Sequence, residues 1–269
     1  MENPSISPQE FARFQALIYK IAGIQMADSK KVLLIGRLTR RLKHYGLNSF
    51  GEYYDLVSSA GQEAELQTMV DLLTTNETYF FREPKHFDFL ADELLPQAKS
   101  GGSFAIWSAA CSSGEEPYTL AMVLADKLGE GPWQITASDI STAVLARAKA
   151  GHYPLERSKG IPPEFLKKYC LKGVRSQEGT FLIAPKLRDR IRFMQVNLNK
   201  QLPDVGPFDV IFLRNVMIYF DMETKRQVVA NLISKLKPGG YFIVGHSETL
   251  NGITDKLQAL RPTIYRKPS

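Results

Sequence analysis

The chain has 269 residues, 44% of them hydrophobic, with 34 basic and 28 acidic side chains for a net charge of +6, and only two cysteines. This supports one or two domains with cores of their own and excludes global disorder, a disulfide framework and the Cys/His spacing of a structural zinc site, so no metal is expected. No apolar run approaches the roughly 20 residues of a bilayer span and residues 1–10 are too polar for an export signal, so a soluble, cytoplasmic protein without membrane insertion is expected.

Residues 1–76 read as a small helical domain. In residues 9–21, Phe11, Phe14, Leu17, Ile18 and Ile21 recur at steps of three and four, the mark of one helix face, and Gly23 ends the run. A second helix, N-capped by Ser29, carries Ile35, Leu38, Leu42 and Tyr45 on one stripe before Gly46. Two shorter helices follow at residues 50–58 and 62–73. Residues 77–90 form a linker.

Residues 91–269 form a second domain, in which the pattern changes after about residue 103 to short apolar runs alternating with helical stretches. Strands are expected at residues 104–110, 133–138, 191–196, 208–213 and 241–245, and helices at 117–128, 143–149 and 225–236. That alternation predicts a doubly wound, Rossmann-like α/β domain with its ligand at the carboxyl ends of the strands. Residues 180–183 and 190–196 are expected to pair as antiparallel strands of a small β insertion over residues 171–196.

Several strand ends carry candidate chemistry. The run from Ile106 to Tyr118 passes from an apolar strand through small residues into a helix opened by Glu115, Glu116 and Pro117. Small residues let a ligand approach the backbone, but two carboxylates argue against a phosphate, and the absence of GxGxxG argues against a dinucleotide. Both glutamates can equally be first-turn residues that complement the helix dipole. Asp139, at the end of the second strand, suits either a ribose-hydroxyl acceptor or a helix N-cap, and the first loop favours the ribose. Asn197, Arg214 and Asn215 end later strands and converge on the same crevice. In the linker, Arg82 can pair with a carboxylate of a ligand or form a surface salt bridge to Glu77 or Glu83.

Asn76-Glu-Thr-Tyr-Phe-Phe-Arg-Glu83, Trp107-Ser-Ala-Ala-Cys-Ser-Ser-Gly-Glu-Glu-Pro-Tyr118, Ala137-Ser-Asp-Ile140, Arg214-Asn-Val-Met-Ile-Tyr-Phe220 and Gly245-His-Ser-Glu248 resemble, in order and spacing, the CheR-type chemoreceptor methyltransferases. The resemblance covers nearly the whole chain. It implies a class I S-adenosylmethionine-dependent fold with a helical N-terminal domain and an inserted β subdomain. It implies methylation of glutamate side chains on bacterial chemotaxis receptors, giving glutamyl methyl esters and S-adenosylhomocysteine. Matching positions imply cofactor contacts at Asn76, Thr78, Arg82, Glu116, Asp139, Asn197, Leu198, Arg214 and Asn215, with Arg82 and Tyr219 as the catalytic pair. The family further implies a cytoplasmic monomer recruited to receptor arrays, in some members by a receptor C-terminal pentapeptide held at the β subdomain.

The charge falls in two patches. Residues 28–45 carry Lys30, Lys31, Arg37, Arg40, Arg41 and Lys43 against Asp28, and residues 167–192 carry eight basic groups against two acidic ones. Each suits an acidic protein partner, and Arg37, Arg40, Arg41 and Lys43 are the expected receptor-docking residues; an ordinary solvated helix face is the alternative. A nucleic-acid methyltransferase is the competing enzyme class, but Arg214-Asn-Val-Met replaces the Asn/Asp-Pro-Pro-aromatic run common in base aminomethylation, so no nucleic-acid partner is expected. A non-catalytic adaptor is the other competitor.

Overall fold

A computed structural model describes residues 5–98 and 102–269. The N-terminal helices are α1 (Pro8–Ala22), α2 (Lys31–Tyr45), α3 (Phe50–Ser58) and α4 (Glu63–Leu73). Ser7 and Glu10 close a reciprocal capping box on α1, and Gly23 ends that helix at φ +70°. The second Glu10 oxygen accepts the Gly51 amide at 2.6 Å, tying α1 to the start of α3. Phe14, Ile18, Leu34, Leu38, Leu42, Phe50, Tyr53 and Met69 fill the core between these helices.

Two details of α2 depart from expectation. Ser29 is not its cap, because Asp28–Lys30 forms a 3-10 turn that runs directly into the helix, and no side chain caps it. The buried stripe is Leu34, Leu38 and Leu42, while Tyr45 stays 40% exposed. Leu38 and Leu42 stand where the periodicity puts them and Ile35 packs half-buried beside Leu34, so only Tyr45 falls off the stripe.

The linker leads into α5 (Lys85–Phe89), continued through a π turn (Leu90–Leu94) into α6 (Leu95–Ala98). The second domain then runs β1 (Phe104–Ser108), α7 (Glu115–Leu128), β2 (Trp133–Asp139), α8 (Thr142–Ala150), β3 (His152–Pro154), α9 (Pro163–Tyr169), β4 (Cys170–Lys172) and β5 (Thr180–Ile183). It ends with α10 (Pro185–Arg188), β6 (Ile191–Gln195), β7 (Phe208–Leu213), α11 (Met222–Ser234), β8 (Leu236–Val244), β9 (Gln258–Arg261) and β10 (Ile264–Arg266). The main sheet has the order β6-β2-β1-β7-β8-β10-β9, parallel through β8 and antiparallel beyond it. Its strands alternate residues between two cores. Ile106, Ile135, Val210 and Phe212 face one, and Trp107, Ile211, Leu213 and Phe242 face the other.

The strand order reverses between β1 and β7, so the carboxyl ends of β1, β2, β6 and β7 surround one crevice. The expected hairpin of residues 180–183 with 190–196 does not form. β5 instead pairs antiparallel with β3 and β4, while β6 joins the main sheet parallel to β2, with Ile191 beside Ile135. The small sheet therefore spans residues 152–183, not 171–196. Ile191 and Phe193 give β6 an apolar side that joins the core under α7, where Phe193 meets Tyr118, and α10 turns the chain toward it.

Candidate functional site

A cleft of about 1040 Å³, its open mouth included, lies at this crevice. Asn76, Thr78, Arg82, Glu116, Asp139, Asn197, Leu198, Arg214, Asn215 and Tyr219 all line it. Sequence-distant side chains thus meet because parallel strands end at one level and the linker crosses above them.

The loop after β1 forms the floor. Ala109, Ala110 and Ser112 line the cleft, and the Ser112 amide donates to Asp139 Oδ2 at 2.9 Å. The Ser112 hydroxyl donates to the Asn76 carbonyl at 2.9 Å, fastening the linker to the floor. Gly114, at φ +98°, serves packing and not ligand approach. A Cβ there would lie 2.9 Å from both Ala148 Cβ and the Tyr153 hydroxyl. Cys111 in the same loop is buried, and burial holds its thiol well above the ordinary range, so it is no nucleophile.

Asp139 is buried, with Oδ1 accepting the Ser141 amide at 3.0 Å. Ser141, and not Asp139, caps α8. With one amide on each oxygen, the Asp139 carboxylate retains acceptor capacity for hydroxyls of a ligand. Burial raises this carboxyl above the usual range, opposed by the amides of Ser141 and Ser112.

Glu115 and Glu116 separate in role. Glu115 is fully buried away from the cleft, where it pairs with Arg157 and accepts the Ser113 hydroxyl at 2.7 Å. Arg157 also donates to the Thr78 carbonyl at 2.9 Å, so this pair braces the linker. Glu116 accepts from Ser108 Oγ at 2.7 Å and from Arg214 Nη1 at 2.8 Å.

Arg214 is a hub with a side chain only 2% exposed. It pairs with Glu116 and, at 3.0 Å, with Glu83, and it donates to the Arg82 carbonyl. Two carboxylates balance its charge, so it shapes the wall and is not a spare cation. Asn215 follows at φ +56° and donates to Glu83 at 3.2 Å. Asn197 donates to the Ile21 carbonyl at 2.7 Å, which commits part of its amide to joining the two domains.

Arg82 forms no salt bridge to Glu77 or Glu83. One guanidinium nitrogen donates to the Glu77 carbonyl at 2.9 Å and its charge lies 5.6 Å from the Tyr79 ring centre, leaving other donors free at the rim. Tyr219 ends the 3-10 turn Met217–Tyr219, and its carbonyl accepts the Gln25 amide at 2.8 Å. That bond, with the Ile24–Phe220 bridge, sets the chain after α1 against the cleft wall.

The four expected docking residues divide. Arg37 donates to the Leu72 and Thr74 carbonyls at 2.9 and 2.8 Å, and Arg41 clamps Glu65 through two bonds of 2.8 and 2.6 Å. Both are spent inside the helical domain; Arg40 and Lys43 remain exposed.

Glu83 and Glu248, to which the sequence assigns no role in the site, are both central to it. Glu83 holds Arg214, Asn215 and the His246 amide. With His86 and His246 it offers ligand atoms within 4.8 Å of one another. Both Glu83 oxygens are already engaged, and the Arg214 charge beside them opposes a cation. Burial, followed by that charge, lowers His86 to about 3, so it is neutral at pH 7.

The comparisons with known proteins agree with this two-part architecture. Residues 9–74 match the CheR methyltransferase all-alpha domain, and residues 76–266 match the CheR methyltransferase SAM binding domain. The chain is 41% identical to the chemotaxis protein methyltransferase of Escherichia coli (strain K12), covering 98% of this chain and 92% of that protein. It is 39% identical to chemotaxis protein methyltransferase 2 of Pseudomonas aeruginosa, covering 96% of this chain and 92% of that protein. S-adenosylmethionine is accordingly the cofactor, and the activity is methyl transfer in chemotaxis. With both domains matched in order along nearly its whole length, the chain belongs to the CheR methyltransferase family.

Proposed function

We propose that the chain methylates glutamate side chains in the cytoplasmic domains of chemoreceptors, forming glutamyl methyl esters and S-adenosylhomocysteine. The observation that carries this reading is that, among the described residues, no His, Cys or Lys side chain lines the cleft, while Glu116 and Asp139 are already hydrogen-bonded and the remaining lining carboxylate, Glu77, is exposed to water at the linker. An amine acceptor arrives protonated and needs a base. A glutamate, with an ordinary pKa near 4.3, arrives as its own nucleophile.

The cleft fits the cofactor: Asp139 has lone pairs for ribose hydroxyls, Arg82 has guanidinium donors for a carboxylate, and Ile140, Val196 and Leu198 supply apolar wall. Asn76, Thr78, Glu116, Asn197, Arg214 and Asn215 complete the binding surface. When bound, S-adenosylmethionine supplies an electrophilic methyl group on a sulfonium centre. The protein's task is to strip water from the acceptor carboxylate and hold it in line, at about 3 Å. In this reading Arg82 orients a carboxylate at the rim and Tyr219 hydrogen-bonds beside the methyl.

Receptor docking falls to exposed Arg40 and Lys43 on α2. The edge strand β4, with exposed Leu171 and Lys172, is the place for an added receptor peptide strand. The deciding experiment is transfer of labelled methyl from S-adenosylmethionine to purified receptor cytoplasmic domains, with Arg82→Ala as control. Base-labile label released as methanol is the expected result; base-stable label, or label only in added nucleic acid, would overturn the assignment.

A further inference from the structure

Between β8 and the start of β9 runs the Gly245-His-Ser-Glu248 turn, which contributes no residue to the cleft lining. Its glutamate nonetheless reaches across to the cleft wall. Glu248 is 8% exposed, and among the described residues no cation pairs with it. Oε2 accepts the amides of Asn215 and Gly245 at 2.8 and 2.7 Å, and Oε1 accepts those of Val216 and Met217 at 3.0 and 2.8 Å. Four donors match the four lone-pair sites of a carboxylate, so every hydrogen-bonding place on the group is used by backbone.

Three of those amides are consecutive, and they belong to the segment that leaves β7 for the cleft. Asn215 stands at φ +56°, a left-handed conformation that an asparagine adopts at a cost unless its surroundings hold it. Val216 and Met217 lead directly into the turn that ends at Tyr219. No strand ladder holds this stretch: β7 ends at Leu213 and the next helix, α11, begins at Met222. The fit is close on the far side too, since a Cβ at Gly245 would lie 2.5 Å from Asn215 Nδ2 and 2.9 Å from Glu248 Oε2.

We propose that Glu248 is a positioning residue for methyl transfer, a buried anion whose four amide bonds set the backbone of residues 215–217 and thereby place Asn215 and Tyr219 in the cofactor cleft. It acts through backbone and touches neither cofactor nor substrate. The inference rests on the reading of the cleft as the cofactor site, and wild-type binding of S-adenosylhomocysteine tests that reading separately.

The test uses Glu248→Gln, which keeps the volume but turns an acceptor into an NH2 group facing amide donors. S-adenosylhomocysteine binding is measured by calorimetry at a temperature well below unfolding, beside Leu42→Ala, a variant destabilised in the helical core. A weakening of about tenfold or more in E248Q, with wild-type affinity in L42A, is expected. Tyr219→Phe in the E248Q background should then cost less turnover than it does in the wild type, because the ring is already misplaced. Wild-type affinity in folded E248Q would overturn the proposal, for it would reduce Glu248 to a structural anchor. If E248Q does not fold, Gly245→Ala decides. Its methyl crowds the same carboxylate and asparagine at a position with no left-handed φ, and it must weaken binding or the proposal fails.

Discussion

Two buried carboxylates in the two domains are satisfied in opposite ways. Glu65 in α4 accepts from the side chains of Arg41, Tyr45 and Tyr53, and those hydrogen bonds, working against burial, hold its carboxyl below the ordinary range. Glu248 accepts only backbone amides, and burial outweighs them and raises its carboxyl. A side-chain cluster ties whole helices together, so its worth is spread over a domain's stability. An amide cradle fixes a few φ and ψ angles, so its worth is local and lands on whatever that segment carries. The helical domain uses the first device beneath the basic face of α2, and the α/β domain uses the second beside its cleft.

The sharpest break of that comparison is Arg41→Ala. It leaves Glu65 buried with two phenols and no cation, and removing one partner of a buried pair typically costs about 3–5 kcal/mol. Arg41 is 23% exposed, so the low end is expected, about 3 kcal/mol in urea unfolding. Cofactor affinity measured on the folded variant should stay within about twofold of wild type, because Glu65 lies outside the cleft.

Arg82→Ala should do the reverse. Among the described residues its guanidinium holds no carboxylate, so the melting temperature is expected to stay close to wild type. Charge-assisted hydrogen bonds to a bound carboxylate are worth roughly 1.5–3 kcal/mol, so kcat/KM should fall about 30-fold. Unchanged turnover and cofactor affinity together would remove Arg82 from the site.

Acid separates the domains again. Folded His86 has a pKa near 3 against about 6.5 unfolded, so only the unfolded chain takes up this proton as pH falls below 6.5. Stability is therefore lost from about pH 6.5 downward. From pH 7 to 5.5 the wild type should lose about 1 kcal/mol more than His86→Gln in urea titrations. Glu65, depressed when folded, contributes stability above its unfolded pKa near 4.3 that is lost only as pH falls further. Asp139 and Glu248 are raised, bind protons more readily when folded, and soften the loss at the acid end. If H86Q showed the same slope as wild type, His86 would not be the group responsible.

Much of this architecture is legible in the chain. The strands β1 and β7 carry apolar residues on both faces, as strands of a covered parallel sheet do, and Asp139, Asn197 and Arg214 stand where such strands end. Strand partners are another matter. Nothing in the residues of β5 or β6 says which edge each will join, and β9, exposed throughout, has no apolar pattern to detect. β8 starts at Leu236, earlier than its apolar run, because Leu236 pairs with Phe208 before the register jumps to Tyr241 beside Val210, leaving Lys237-Pro-Gly-Gly240 bulged out of the β7 ladder. Glu83 and Glu248 escape for a related reason. Their partners include backbone amides, which every residue possesses, so no pairing of residue types announces them.

The basic face of α2 offers the finest division of the helical domain. Arg37, Arg40 and Arg41 look alike on a helical wheel, yet only an inward arginine has carbonyls or a glutamate within reach, and the wheel cannot show what neighbouring helices present. Arg40→Ala and Lys43→Ala remove exposed charges without internal partners, so each should leave the melting temperature unchanged. Rim charges act chiefly on encounter rate, so each should raise the KM for receptor about threefold at low salt while leaving kcat alone. The effect should shrink as ionic strength rises and the Debye length falls to about 8 Å near 0.15 M. Arg37→Ala should differ in kind, lowering stability at all salt concentrations, since its bonds to Leu72 and Thr74 hold the end of α4 where the cleft begins. If R40A and K43A left the low-salt KM untouched, the receptor would have to dock elsewhere, with the basic region around the β3-β5-β4 sheet as the remaining candidate.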